Sequence, residues 1–73
     1  MIAADDQYFA ELSDSEDGEV ICFGNEVIEA SSDQEAIGKA GLWATSHRLG
    51  AVAMLTVTQG IRGVHSRKIY LNA

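Results

Sequence analysis

The residues of this chain that most often carry out covalent chemistry are one cysteine and two histidines. Cys22 could act as a nucleophile if His47 or His65 served as its base. Neither a glycine-rich turn nor a recognisable oxyanion motif accompanies Cys22, which lies between Ile21 and Phe23 in a strand-like segment. A buried structural thiol is the usual role of a cysteine in that setting. We therefore expect no enzymatic activity and no cofactor.

The acidic segment 13–18 contains side chains of the type that bind Ca²⁺. An EF-hand loop with Gly18 at its sixth position would begin at Ser13 and end at Gly24, where the motif requires a glutamate. This mismatch excludes an EF-hand, and we predict no metal site. We interpret the segment as a solvated hairpin connection that can present an acidic surface to a basic partner.

A basic and aromatic cluster lies near the end of the chain and consists of Arg62, Arg67, Lys68 and Tyr70. Such a cluster can hold phosphates and stack on a nucleobase. The alternative is that its cations pair with acidic residues of the first half of the chain. A nucleic-acid-binding domain is therefore one hypothesis for the function.

The charges divide the chain into two halves. The 73 residues include eleven acidic and five basic side chains, for a formal net charge of −6. All the acidic residues lie between Asp5 and Glu35, and all the basic residues lie between Lys39 and Lys68. Such an acidic chain is not a general nucleic-acid coat. Its length excludes a two-domain enzyme.

Length and composition predict one small domain over residues 7–73, preceded by a short flexible arm at 1–6. The single cysteine and the absence of an apolar leader suggest a cytoplasmic protein. The longest apolar run, at 51–55, is far shorter than the ~20 residues that cross a bilayer, so we expect no membrane association. A domain of this size buries little surface, so a homodimer or docking on a larger partner would add useful burial.

The first half of the chain has the composition of β-strands. The predicted segments are strands at 7–12, 19–23 and 26–30, a polar connection at 13–18 and a turn at Gly24-Asn25. The alternative for the second part is one long strand from 19 to 30 with a bulge at Gly24.

A capping box at 32–35 predicts a helix over residues 33–48, with Gly50 as its left-handed cap. Its inner face is predicted to consist of small residues and to lie close on a sheet, with Leu42 on the opposite, exposed side. The residues expected on or beside this inner face are Ala36, Ile37, Ala40, Gly41, Trp43, Ala44 and His47.

Strands at 51–58 and 64–71 follow the helix, joined by residues 60–63. The apolar pattern places odd-numbered residues of both strands on one face, so we expect a bulge or a five-residue loop between them. The predicted fold is a two-layer α+β domain of order ββ(β)αββ. One helix packs on one face of an antiparallel sheet of four strands, or of five if 26–30 is separate.

Two resemblances accompany this order of elements. Residues 27–40, with Tyr8-Phe9 and Asp17-Gly18, resemble the strand, cap and helix element of HicB-type antitoxins, which implies a small bacterial regulatory or antitoxin-like domain. The ββαββ order, with Ile28-Glu29-Ala30 and the helix start, resembles small phage-borne anti-CRISPR proteins that dock on type I surveillance complexes. That resemblance implies an inhibitor acting in the bacterial cytoplasm.

Our leading hypothesis is a small acidic interaction module that inhibits or regulates a nucleic-acid-handling complex, such as a CRISPR effector, by binding its basic surface. A nucleic-acid-binding domain and a small homo-oligomeric enzyme or ligand-binding protein with its site between subunits are the alternatives. The predicted protein contacts are Asp14, Glu16, Asp17, Glu19, Glu26 and Glu29, with Leu42 and Trp43 as apolar anchors.

Overall fold

The computed structural model describes residues 6–16 and 19–72, except for the side chains at positions 15, 16, 19 and 20. Its elements are β1 (Gln7–Glu16), β2 (Glu19–Glu29), α1 (Asp33–Thr45), β3 (Ala51–Gln59) and β4 (Arg62–Leu71). The strands form an antiparallel sheet of order β2-β1-β3-β4. This confirms the predicted α+β fold with four strands and one helix.

The second strand is continuous and contains a bulge. Leu12 of β1 pairs with Gly24, and Ser13 pairs with Cys22, so Phe23 is the extra residue on β2. The alternative of one bulged strand is therefore confirmed, although the bulge is at Phe23 rather than at the predicted Gly24; the separate third strand and its turn at 24–25 are wrong. Residues 13–16 also belong to β1 rather than to a loop, because pairing with 19–22 satisfies their backbone groups.

Most of the predicted arm lies outside the described residues, namely positions 1–5. Its last residue, Asp6, is already tied to the domain. The carbonyl of Asp6 accepts a hydrogen bond of 2.8 Å from the backbone N–H of Ala30, just past the end of β2. The hydrogen-bonded pairing of the first hairpin therefore extends to the residue before β1.

The helix begins as predicted and ends three residues early. The Ser32 hydroxyl accepts a hydrogen bond of 3.2 Å from the Glu35 N–H, and the Glu35 carboxylate accepts from both the N–H and the hydroxyl of Ser31. At the other end, the Ser46 N–H and hydroxyl both donate to the carbonyl of Trp43, which closes the last turn at Thr45. Gly50 has a positive φ of 63° but lies in the connection to β3, so its predicted role as the helix cap is wrong.

The core lies between α1 and one face of the sheet. The helix presents Ala36, Ala40 and Ala44, all fully buried, which confirms the predicted face of small residues. Ile37 and Trp43 are only half-buried beside it. The sheet contributes the larger side chains, which are Tyr8, Leu12, Ile28, Leu55, Val57 and Leu71.

The second hairpin has the predicted odd-to-odd register and the predicted bulge. Ala53 pairs with Ile69, whereas Thr58 pairs with Gly63, so Val64 is the extra residue on β4. The connection is a two-residue turn at 60–61 rather than the predicted 60–63, and Gly60 has a φ of 61° there. A positive φ is accessible to glycine without the steric cost that a Cβ would impose.

Two glycine substitutions should change stability in opposite directions. Gly38 lies on the exposed side of α1, and a Cβ there would meet no atom within 4 Å. Gly38→Ala should raise the free energy of unfolding by about 0.5–1 kcal/mol, since alanine loses less backbone entropy in a helix. Gly60→Ala should lower it by about 1–2 kcal/mol because of the positive φ. Urea denaturation measures both, and equal effects of the two changes would contradict the assigned backbone conformations.

Candidate interaction surface

The surface of the described residues is open rather than concave. They form no pocket, and no group of three or more histidine, cysteine, aspartate or glutamate side chains among them could hold a metal ion. No helix within the described part of the chain is long and apolar enough to span a bilayer. The features available for binding are the face of the sheet that α1 does not cover, the two edges of the sheet and the outer side of α1.

Only one face of the sheet is covered by α1; we call the other one the open face. Side chains alternate between the faces along each strand, and the two bulges reverse the alternation. Together the four strands place on the open face Gln7, Phe9, Glu11, Ser13, Cys22, Asn25, Val27, Glu29, Val52, Met54, Thr56, Thr58, Ser66, Lys68 and Tyr70.

Two apolar pairs stand on the open face, at opposite ends of it. Phe9 pairs with Val27 across β1 and β2, and these side chains are 41% and 52% exposed. Val52 pairs with Tyr70 across β3 and β4, at 49% and 62% exposed. Phe9 is aligned with Thr58, six residues from Val52, so the pairs are separated by ~20 Å along the strands. Sequence reasoning missed Phe9, Val27 and Val52; their alternation with buried neighbours was the signal that could have indicated them.

The predicted acidic contacts lie in one half of the sheet but on both of its faces. Asp14 is on the helix side because it lies two residues after the buried Leu12 on the same strand. Glu26 is on the helix side because it pairs with the buried Ala10. Glu29 is exposed on the open face. Asp17 lies outside the described residues, as do the side chains of Glu16 and Glu19. The strand order nevertheless places all of β1 and β2 on one side of β3.

The basic and aromatic cluster is divided by the sheet. Lys68 and Tyr70 face the open side, whereas Arg67, opposite the buried Leu55, faces the helix side. The bulge at Val64 reverses the alternation, so Arg62 also faces the helix side although its number is even. The four residues therefore do not form one platform, and Arg62 is engaged elsewhere.

Arg62 forms an ion pair that joins β4 to the start of the helix. Its guanidinium donates two hydrogen bonds of 2.9 Å to the two carboxylate oxygens of Asp33, the first residue of α1. The hydroxyl of the buried Tyr8 donates to the same carboxylate at 2.7 Å, and Gln59 accepts from Arg62 at 2.6 Å. These bonds lower the pKa of Asp33 to about 2. The bonds from Arg62 contribute most, and the bond from Tyr8 comes next.

The same hydrogen bonds raise the pKa values of the two side chains that donate to Asp33. The Tyr8 hydroxyl has a raised pKa, chiefly because it donates to the Asp33 carboxylate. The pKa of Arg62 is likewise raised by its bonds to Asp33. The cluster therefore joins β1, the helix start and β4 through one ionised carboxylate.

The candidate anchors differ in how accessible they are. Leu42 projects from the outer side of α1 and is 75% exposed, as predicted. Trp43 is half-buried, with its ring edge-on to His47 at a centroid distance of 4.9 Å. The Nδ1 of His47 lies 3.1 Å from the carbonyl of Trp43, and a Cβ on Gly24 would approach both rings to within 3.6 Å. His47 thus packs at the end of the helix, as its position predicts.

The cysteine and the histidines lie on different sides of the sheet. Cys22 is exposed on the open face, so the expectation of a buried thiol is wrong; the bulge at Phe23 turned it outward. Its Sγ lies 3.8 Å from the carboxylate Oε2 of Glu11 and 3.6 Å from the carbonyl oxygen of Gly24. His47 and His65 are both on the helix side. The structure therefore does not bring Cys22 to either candidate base.

The pKa of Asp33 predicts a specific acid sensitivity. Because this pKa is about 2 in the folded chain and 3.8 ordinarily, the stability from the ionised carboxylate is present above pH 3.8 and is lost as the pH falls through 2. Asp33→Asn should lower stability at pH 7 and flatten its decline in that acid window. Urea midpoints between pH 7 and pH 2 measure this, with Glu29→Gln as the control. An unchanged decline in Asp33→Asn would show that other groups cause the acid sensitivity.

Comparisons with known proteins provide no relative from which a role could be transferred. No protein-family model matches the chain, and no curated protein and no solved structure matches it either. The open face, the acidic half of the sheet and the basic edge are therefore the features from which a function has to be inferred, through their own chemistry.

Proposed function

We propose that the protein is a small non-catalytic interaction module that inhibits or regulates a nucleic-acid-handling complex by binding a basic surface of that complex. The observation that carries this proposal is the strand order β2-β1-β3-β4 together with the charge layout. The two acidic strands lie side by side, and β2 forms an outer edge. The basic residues of β4 lie at the opposite edge.

The separation of the two edges decides whether the charges cancel. Three strand spacings of ~4.8 Å place β2 and β4 ~14 Å apart. The Debye length at physiological ionic strength is ~8 Å, so the cations of β4 neutralise little of the field at the β2 edge. Lys39 of α1 reaches the end of β2, where it donates a hydrogen bond of 2.7 Å to the carbonyl of Glu29, so the surface that a basic partner meets at β2 is acidic chiefly away from that contact. An acidic strand edge is suited to the basic channels in which such complexes hold nucleic acid.

Two described carboxylates stand on this acidic edge, near the C-terminal end of β2. Glu26 and Glu29 are both exposed and project from opposite faces of β2. A partner that encloses the edge would contact both. Asp14, with the other acidic residues of the hairpin, would extend the contact along the same half. Such charges mainly raise the rate of association.

The lifetime of such a complex would depend on an apolar anchor. Leu42 is the most exposed large apolar side chain of α1, and it stands outside the core. Trp43 is committed in part to packing against His47, so we assign it a smaller share of the contact. Apolar anchors that become fully desolvated slow dissociation. A CRISPR effector is the partner that the resemblance to phage inhibitors suggests.

Reversing charge at the β2 edge should slow association with a basic partner. The double variant Glu26→Lys and Glu29→Lys should bind an immobilised type I CRISPR surveillance complex about tenfold more slowly at low salt, with a flatter salt dependence. The matched control reverses Arg67→Glu and Lys68→Glu at the opposite edge, and its rate should equal or exceed that of the parent chain. An equal loss of association rate in both double variants would contradict an acidic-edge interface. So would an unchanged rate in the Glu26→Lys and Glu29→Lys variant.

Two further measurements identify the class of partner. Capture from a bacterial lysate should enrich a protein complex that is lost with the Glu26 and Glu29 reversal and retained with the Arg67 and Lys68 reversal. A gel shift with mixed RNA and DNA at low salt should show no retardation. Retardation that disappears when Arg67 and Lys68 are reversed would instead establish direct nucleic-acid binding by β4.

A further inference from the structure

We infer that the open face is a homodimer interface, covered by a second copy of this chain in a two-fold, sheet-on-sheet arrangement. The face shares Glu29 with the β2 edge of the proposed function, whereas Glu26 and Leu42 stand on the other side of the sheet and on the outer side of α1. Dimerisation would cover Glu29 but would leave Glu26 and Leu42 accessible to that partner and double their number. The inference therefore extends the proposed function without depending on it.

The apolar side chains of the open face are the first argument. Four of the eight exposed large apolar side chains in the described part of the chain stand on it: Phe9, Val27, Val52 and Tyr70. Met54 adds a half-buried apolar side chain in the same face. These side chains form two separate pairs rather than one contiguous patch, and each pair is larger than the single scattered apolar side chains that are ordinary on protein surfaces.

The composition of the core is the second argument. Of the twelve buried apolar residues in the described part of the chain, six are alanines, namely Ala10, Ala30, Ala36, Ala40, Ala44 and Ala53. Alanine side chains contribute little apolar area, so burial on the helix side alone gives a small domain a modest driving force. Covering the open face would add the larger side chains that the helix does not reach.

The distribution of charge indicates that the occupant is a copy of the same chain. Glu11 and Glu29 stand in the half of the open face that holds Phe9, whereas Lys68 stands in the half that holds Tyr70. A two-fold axis lying between stacked sheets can place each half over the opposite half of the other copy. Phe9 and Val27 then meet Val52 and Tyr70, and the glutamates face Lys68. A partner of uniform charge would match only one half.

The size of the face is sufficient for a weak to moderate dimer. Four strands ~4.8 Å apart, with about eight residues each at ~3.3 Å, present roughly 500 Å² per copy. Two copies would bury about 1,000 Å², the lower bound for specific interfaces. We therefore expect a dimer whose population depends on protein concentration rather than a permanent one.

Pairing through the sheet edges is a less favourable way for two copies of the chain to form a homodimer. Each edge strand contains a bulge, at Phe23 on β2 and at Val64 on β4, and bulges interrupt the ladder that an added strand would extend. Two copies joined through β2 would also align glutamates, and two joined through β4 would align Arg67 and Lys68. The open face carries neither obstacle.

The oligomeric state of the full chain tests the inference directly. Sedimentation equilibrium should give a mass that rises with concentration towards twice the 7.8 kDa of the chain. Val52→Asp should raise the dimer dissociation constant about tenfold or more, because it leaves a charge in the apolar contact. The matched control is Leu42→Asp, which places the same charge on the outer side of α1 and should leave the constant unchanged. Circular dichroism tests whether each variant is folded. If Val52→Asp is not folded, Tyr70→Ser replaces it.

A charge exchange tests the two-fold arrangement itself. Lys68→Glu and Glu11→Lys should each weaken the homodimer, since each places like charges across the contact. An equimolar mixture of the two variants should form a heterodimer about as stable as the parent dimer, because both contacts again join opposite charges. Absence of that heterodimer would overturn the arrangement. A monomer at every concentration, or dissociation by Leu42→Asp and not by Val52→Asp, would overturn the interface.

Discussion

The close approach of one alanine-faced helix to one side of the sheet is the constraint on which the rest of the structure depends. Ala36, Ala40 and Ala44 allow α1 to lie close to the strands, and the larger buried side chains come from the sheet. This packing requires the helix to be held at a defined position, because alanines interdigitate weakly. It also leaves the second face of the sheet without a cover from within the described residues 6–16 and 19–72.

Specific contacts at the two ends of α1 supply that positioning. At the start, the Asp33 carboxylate binds Arg62 of β4 and the Tyr8 hydroxyl of β1. At the other end, the rings of Trp43 and His47 pack against Gly24, where a side chain would crowd them. The bulge at Val64 is essential to the first contact, because it turns Arg62 to the side of the sheet on which Asp33 lies.

The same geometry connects the fold to the proposed roles of its surfaces. Binding Arg62 to Asp33 withdraws one cation from the basic cluster, and the sheet divides the other members between its faces. What remains is an acidic half bounded by β2 and a two-signed open face. The first is suited to a basic partner, and the second is complementary to itself. Both follow from the order of the strands rather than from any one residue.

Local patterns in the sequence determined much of this architecture: the helix start at the Ser32 capping box, the alanine face, the exposed Leu42 and the odd register of the second hairpin. They did so because capping and side-chain periodicity depend on residues close together in the chain. Tertiary structure alone decided the strand order, the exposure of Cys22 and the choice of Asp33 as the acid that withdraws Arg62 from the basic cluster. These depend on which strands pair and where a bulge reverses the alternation, and both are settled by contacts between residues that are distant in the sequence.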